Sequence, residues 1–155
     1  MMTRYLTLAL LLSVPLQAEP DKREKSPYQG GYEKRDFDVP AGWPKPQIKS
    51  VKISPDAKVG FNLHLLTSNW NFDVHQLGDR KSSTSGHKLA YGFIHLYVNG
   101  RKRNRIYGPD FYLKEIDLDP GDNKLEFVLG SPQHGCWRVD GKRVSWQTSL
   151  KRPPR

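Results

Sequence analysis

Three stretches of the chain alternate apolar with other side chains at a period of two. Val59, Phe61, Leu63 and Leu65 alternate with Gly60, Asn62 and His64; Ile94, Leu96 and Val98 alternate with Phe93, His95 and Tyr97; Leu125, Phe127 and Leu129 make a third row. Successive side chains of a strand point to opposite faces, so each row predicts a strand with one face on a core. Shorter apolar groups predict further strands: Ile48, Val51 and Ile53; Arg105 to Tyr107; Phe111 to Ile116; Cys136 to Val139; Val144 and Trp146. Asn69 to His75 reads as a short extended connection. Turn chemistry falls between them. Asn99-Gly100 and Asp140-Gly141 supply the two positive-φ residues of a type I′ hairpin, and Ser54-Pro55-Asp56-Ala57 and Asp119-Pro120-Gly121-Asp122 read as proline-set turns. No segment carries a helical period. Seven or eight short strands at such spacing predict an all-β fold, an antiparallel β-sandwich over residues 47–150, with a small closed barrel as the alternative.

The two ends read differently. Arg4 precedes the apolar run Leu6 to Val14, and Pro15-Leu16-Gln17-Ala18 follows it, the pattern of a secretory signal peptide (residues 1–18) cleaved near Ala18 and too short to span a bilayer. The expected location is therefore the periplasm or the exterior, without a transmembrane segment. Residues 19–46 are polar and rich in proline and glycine, which predicts a flexible N-terminal lead, with Phe37 to Trp43 the part best able to dock on the domain. Residues 151–155, Lys-Arg-Pro-Pro-Arg, read as an uncovered basic tail.

Charge and cysteine content narrow the classes. The chain carries 25 Lys and Arg against 16 Asp and Glu, a formal charge of +9, which calls for acidic partners. Export turns that expectation from nucleic acid towards an acidic glycan, a lipid headgroup or a protein. With one cysteine, Cys136, no intramolecular disulfide can form, so the fold rests on its hydrophobic core, and the thiol reads as buried and inert.

At the central hairpin the sequence resembles a group of small exported bacterial proteins whose core reads Gly-His-x-His-Leu-Tyr-Val-Asn-Gly, then Arg-x-Tyr-Gly, an aromatic, a Leu-x-Pro-Gly turn and a late histidine. The matching residues are Gly92, His95-Leu96-Tyr97-Val98-Asn99-Gly100, Arg105-Ile106-Tyr107-Gly108, Phe111, Leu118-Asp119-Pro120-Gly121 and His134. The resemblance implies an immunoglobulin-like or cupredoxin-like sandwich. Phe93 stands where the group has the first histidine of its pair, and Tyr112 where a histidine often follows the aromatic. If the group binds a metal through those positions, this chain has lost part of the site.

Candidate chemistry follows from five histidines and one hairpin. Imidazole, with or without the Cys136 thiolate, suits copper or zinc. His64 and His95 on the outer faces of neighbouring strands, joined by His134 from a loop, form the expected metal set. Met1 and Met2 fall in the signal segment, and Asp117 to Asn123 lacks the spacing and terminal glutamate of a calcium loop. Arg101, Lys102, Arg103 and Arg105 crowd the returning limb beside Tyr97 and Tyr107. Charges there either keep an edge strand from pairing with another molecule or form a binding face. The candidate ligand platform is Phe93, Tyr97, Arg101, Arg103, Arg105 and Tyr107. The serines near His87 lack a nucleophile-elbow pattern, and no phosphate loop occurs, so no catalytic residue is assigned and the expected class is a non-catalytic binding or accessory module.

Overall fold

A computed structural model describes residues 36–72, 89–132 and 135–153. The signal segment, the lead before Asp36, His75, His87, the serine-rich loop, His134 and the last two residues lie outside the described residues.

The three alternating rows form the strands predicted for them, except that Val59 precedes the strand of its row, Phe61–Ser68, and is 49% exposed, in the turn that Gly60 closes. Among the described residues β1 (Phe37–Asp38), β2 (Gln47–Pro55), β3 (Phe61–Ser68), β4 (Trp70–Phe72), β5 (Ala90–Val98), β6 (Arg101–Ile106), β7 (Asp110–Leu113), β8 (Gly121–Gly130), β9 (Trp137–Val139), β10 (Lys142–Arg143) and β11 (Ser145–Arg152) succeed one another, and a 3₁₀ turn at Glu115–Asp117 takes the place of the expected strand beyond Leu113, with Ile116 exposed. Phe61, Leu63 and Leu65 of β3, Ile94, Leu96 and Val98 of β5, and Leu125, Phe127 and Leu129 of β8 are all buried in one core.

Two sheets face each other across that core. One has the order β2-β3-β7; the other has the order β11-β8-β5-β4, with β6 also paired to β5. Pairing is antiparallel within them except for the short β4–β5 contact. The fold is an antiparallel sandwich, as the pattern predicts, and not a closed barrel. Both hairpin turns adopt the expected backbone: Asn99 and Gly100 have φ of 51° and 77°, Asp140 and Gly141 of 51° and 74°, the left-handed values a type I′ turn needs.

A third, small sheet, β1-β9-β10, extends from the end of β8 through a bridge between Gly130 and Cys136. Here the part of the lead expected to dock does so, at its Phe37 end. Phe37 and Asp38 pair in parallel with Trp137 and Arg138, and Phe37 packs its ring 6.2 Å from Trp137. Two bidentate ion pairs hold the segment, and such charge-assisted contacts offset the ordering cost that composition alone left unopposed. At the other end β11 continues through Arg152, whose guanidinium donates to Glu115 and to the Leu118 carbonyl. Lys151 and Arg152 therefore belong to the sheet and not to a free tail.

The Asp119 turn is built around Asn123. Its Oδ1 accepts from the Asp119 amide and from Asn99 Nδ2, and its Nδ2 donates to the Asp119 and Gly121 carbonyls. The side chain is 1% exposed with both ends of its amide used, a polar plug that ties the β5–β6 turn to the start of β8.

Candidate functional site

Phe93, His95 and Tyr97 share the face of β5 that points away from the core. Directly paired residues share a face, and the pairing of Phe93 with Gly130 and of Gly130 with Cys136 places Cys136 on that same outer face, one strand across. Gly130 brings no side chain to the spot. A Cβ built there would lie 2.8 Å from the Phe93 ring and 2.9 Å from His95 Nε2, so both rings settle onto its backbone.

The expected open platform is thus partly closed. Phe93 is 2% exposed and His95 3%. Phe93 meets His95 edge-on at 4.8 Å and Tyr107 at 5.5 Å, and the Arg105 guanidinium sits 5.2 Å from the Phe93 ring centre. This stack is a packed layer with a cation on its rim, an arrangement the ring quadrupole favours. Phe93 cannot serve as a ligand-contacting surface; it is the floor. Tyr97 is half-buried, and burial, reinforced by Cys136, Glu126 and Asp36 nearby, pushes its hydroxyl above its ordinary pKa against the opposing pull of Arg143.

The basic run of β6 does not stay together. Leu96 pairs with Asn104 and Tyr97 with Lys102, so Arg103 is the extra residue of a bulge. Lys102 and Arg105 share the outer face with Tyr97 and His95, whereas Arg103 reaches Asp119, 4.0 Å away at the end of the sandwich. Arg101, opposite the core residue Val98 beside the turn, is exposed on the other face of the hairpin from Arg105. The chain's other described ion pairs are Lys45–Asp140, His64–Asp110, Arg138–Asp38, Arg143–Asp36 and Arg152–Glu115. Among the described residues no carboxylate pairs with Arg101 or Arg105. Tyr107, 39% exposed, packs on the same Phe93 ring that Arg105 overlies.

His64 lies elsewhere. It is on the outer face of β3, opposite Lys52, with Nδ1 2.7 Å from Asp110 of β7. His95 is on the outer face of the opposing sheet. Two sheets packed ~10 Å apart separate the imidazoles, far beyond what ~2 Å ligand bonds can bridge. The structure does not bring the expected metal pair together, because alternation shows that both side chains leave the core without showing which outer face each one takes. His134 lies outside the described residues. Among those described, no group of three His, Cys, Asp or Glu side chains is placed to hold a metal ion.

Four polar residues escaped the sequence reading. Asp38 accepts two hydrogen bonds from Arg138, at 3.0 and 2.8 Å, and Asp36 accepts two from Arg143, at 2.8 and 3.1 Å. Burial would raise the Asp36 pKa, but the Arg143 hydrogen bond and charge outweigh it and hold the carboxyl below its ordinary value; the same bond raises Arg143. The available signal was the alternation Asp-Phe-Asp-Val at 36–39, a strand period inside a segment otherwise read as loose.

No protein-family model matches the chain, and no curated protein or solved structure matches it either. Among the described residues, no helix is long and apolar enough to cross a membrane.

Proposed function

We propose that this protein is an exported, non-catalytic binding module, freed by cleavage of a signal peptide near Ala18, that holds an acidic partner through the β5–β6 hairpin. The observation that supports it is Arg105 on the outer face, with Arg101 a second exposed cation at the hairpin turn. Both are exposed, neither pairs with a carboxylate among the described residues, and Arg105 is braced on Phe93 beside the exposed Tyr107 ring. A guanidinium so positioned is pre-ordered to accept a carboxylate, sulfate or phosphate. The burial that removes Phe93 from direct contact gives the rim its rigidity.

Copper or zinc handling through His64, His95 and His134 is not the reading we adopt, since its first two ligands occupy opposite sheets.

The test is retention on a sulfated polysaccharide matrix eluted with salt. The protein should bind at low ionic strength and release as screening shortens the reach of surface charge. An Arg101→Ala, Arg105→Ala variant should elute at clearly lower salt while melting at the same temperature. Unchanged elution of that variant would remove the hairpin from the binding site.

A further inference from the structure

The strongest recognition geometry in the molecule lies on the small sheet, away from the hairpin, and its ligand is the chain itself. Asp36-Phe37-Asp38-Val39 lies extended along β9, where the Phe37 amide donates to the Cys136 carbonyl at 2.8 Å and the Val39 amide to the Arg138 carbonyl at 2.9 Å. The two aspartates face Arg143 and Arg138, each through a two-pronged pair, and the aromatic between them packs on Trp137. These are the parts of strand addition: main-chain hydrogen bonds for hold, alternate side chains for specificity.

We propose that the β9 edge is a receptor for an extended peptide carrying carboxylates two residues apart around an aromatic, and that β1 is its resident intramolecular ligand. The site needs no rearrangement of β9, because β10 already pairs the opposite edge of that strand. The resident strand is only two residues long and is followed by a turn closed by the Trp43 amide on the Pro40 carbonyl. It can leave with the ladders of the two large sheets still paired, uncovering the edge of the core against which Phe37 and Val39 pack. Tethering gives β1 a millimolar effective concentration, so a free peptide at micromolar levels meets an occupied site. Occupancy in cis makes the site self-masking.

The probe is the peptide acetyl-Asp-Phe-Asp-Val-Pro-amide, titrated into full-length protein and into the Asp36→Asn, Asp38→Asn variant, whose own strand keeps its shape but loses both carboxylates. The variant should bind the peptide at least tenfold more tightly than the unaltered chain, and adding Arg138→Gln should abolish the gain. Equal affinity of the two proteins would overturn the proposal. A second measurement needs no substitution: millimolar peptide added to the unaltered protein should strip hydrogen-exchange protection from the Phe37 and Val39 amides. Retained protection under saturating peptide would equally overturn it. Neither readout involves Arg101 or Arg105, so failure here leaves the hairpin reading standing, and the converse holds.

Discussion

The two outer faces of the sandwich are built on opposite plans. On the β2-β3-β7 sheet, Asn62, His64 and Leu66 of β3 stand exposed beside Lys52 of β2 and Asp110 and Tyr112 of β7. That is an ordinary solvated face, on which each side chain answers mainly to water. On the opposing sheet, Phe93, His95 and Val128 are almost fully buried although they point away from the main core. The difference comes from the end of β8. Gly130 leaves a gap, Cys136 bridges to its backbone on the same face, and Tyr107 and Arg105 close over Phe93 from the β6 side. A sheet face that carries its own second layer can hold a surface arginine rigid; a bare one cannot.

Breaking the covered layer should produce the largest effect. Phe93→Ala should cost about 3–5 kcal/mol, the range for removing a buried aromatic, and lower the melting temperature accordingly. Gly130→Ala attacks the same layer from below, with a Cβ 2.8 Å from one ring and 2.9 Å from the other, and should cost about 1–3 kcal/mol as overpacking. Leu66→Ala is the control on the bare face. That side chain is 53% exposed, and its loss should stay within about 0.5 kcal/mol. Denaturant midpoints of the three variants test the contrast, and a Phe93 variant as stable as the Leu66 one would dissolve it.

Local pattern is what the sequence displays, and it sufficed for the main frame. The rows through Leu63, Leu96 and Phe127 and the Asn-Gly and Asp-Gly turns are read within a few neighbouring residues, and the structure places them as read. What depends on residues far apart was not legible. The cover over Phe93 needs Gly130 and Cys136, the seat of Phe37 on Trp137 and Arg138 lies far along the chain although its docking was expected, and the parting of Arg103 from Arg105 needs a bulge that no composition marks. His64 and His95 show the limit most directly. Each is correctly assigned away from the core by alternation, yet the face it occupies is a property of sheet order.

A middle-sized effect belongs to the seam between the small sheet and the covered face, where Asp36 meets Arg143. The Asp36 carboxyl is held below its ordinary value of 3.8, so its pairing stabilises the folded state above that value and is lost as pH falls through the lower, folded one. The pair is partly exposed, and its contribution is about 1 kcal/mol or less. Acidification should therefore loosen β1 before it unfolds the sandwich. Hydrogen exchange at the Phe37 amide, followed from pH 6 to pH 3 by comparison with the Leu96 amide, should lose protection first. Asp36→Asn should make the Phe37 amide weakly protected throughout and flatten that pH dependence. Simultaneous loss at both amides would mean that β1 and the sandwich form one cooperative unit.

The smallest effect is expected at the His64–Asp110 pair, which crosses the bare face. His64 Nδ1 and Asp110 lie 2.7 Å apart, with the two side chains 52% and 78% exposed, so water competes for both and salt screens what remains. The strands beneath are joined by their own ladder, in which His64 pairs directly with Asp110 through the backbone register, and that ladder does not depend on the side chains. His64→Gln keeps a polar group on β3 while removing the imidazole, and should shift the unfolding free energy by less than about 0.5 kcal/mol. Raising the salt concentration should shrink even that difference. A loss above about 2 kcal/mol would show that the face is covered after all, because only a desolvated pair is worth that much, and the contrast between the two faces would then have to be drawn elsewhere.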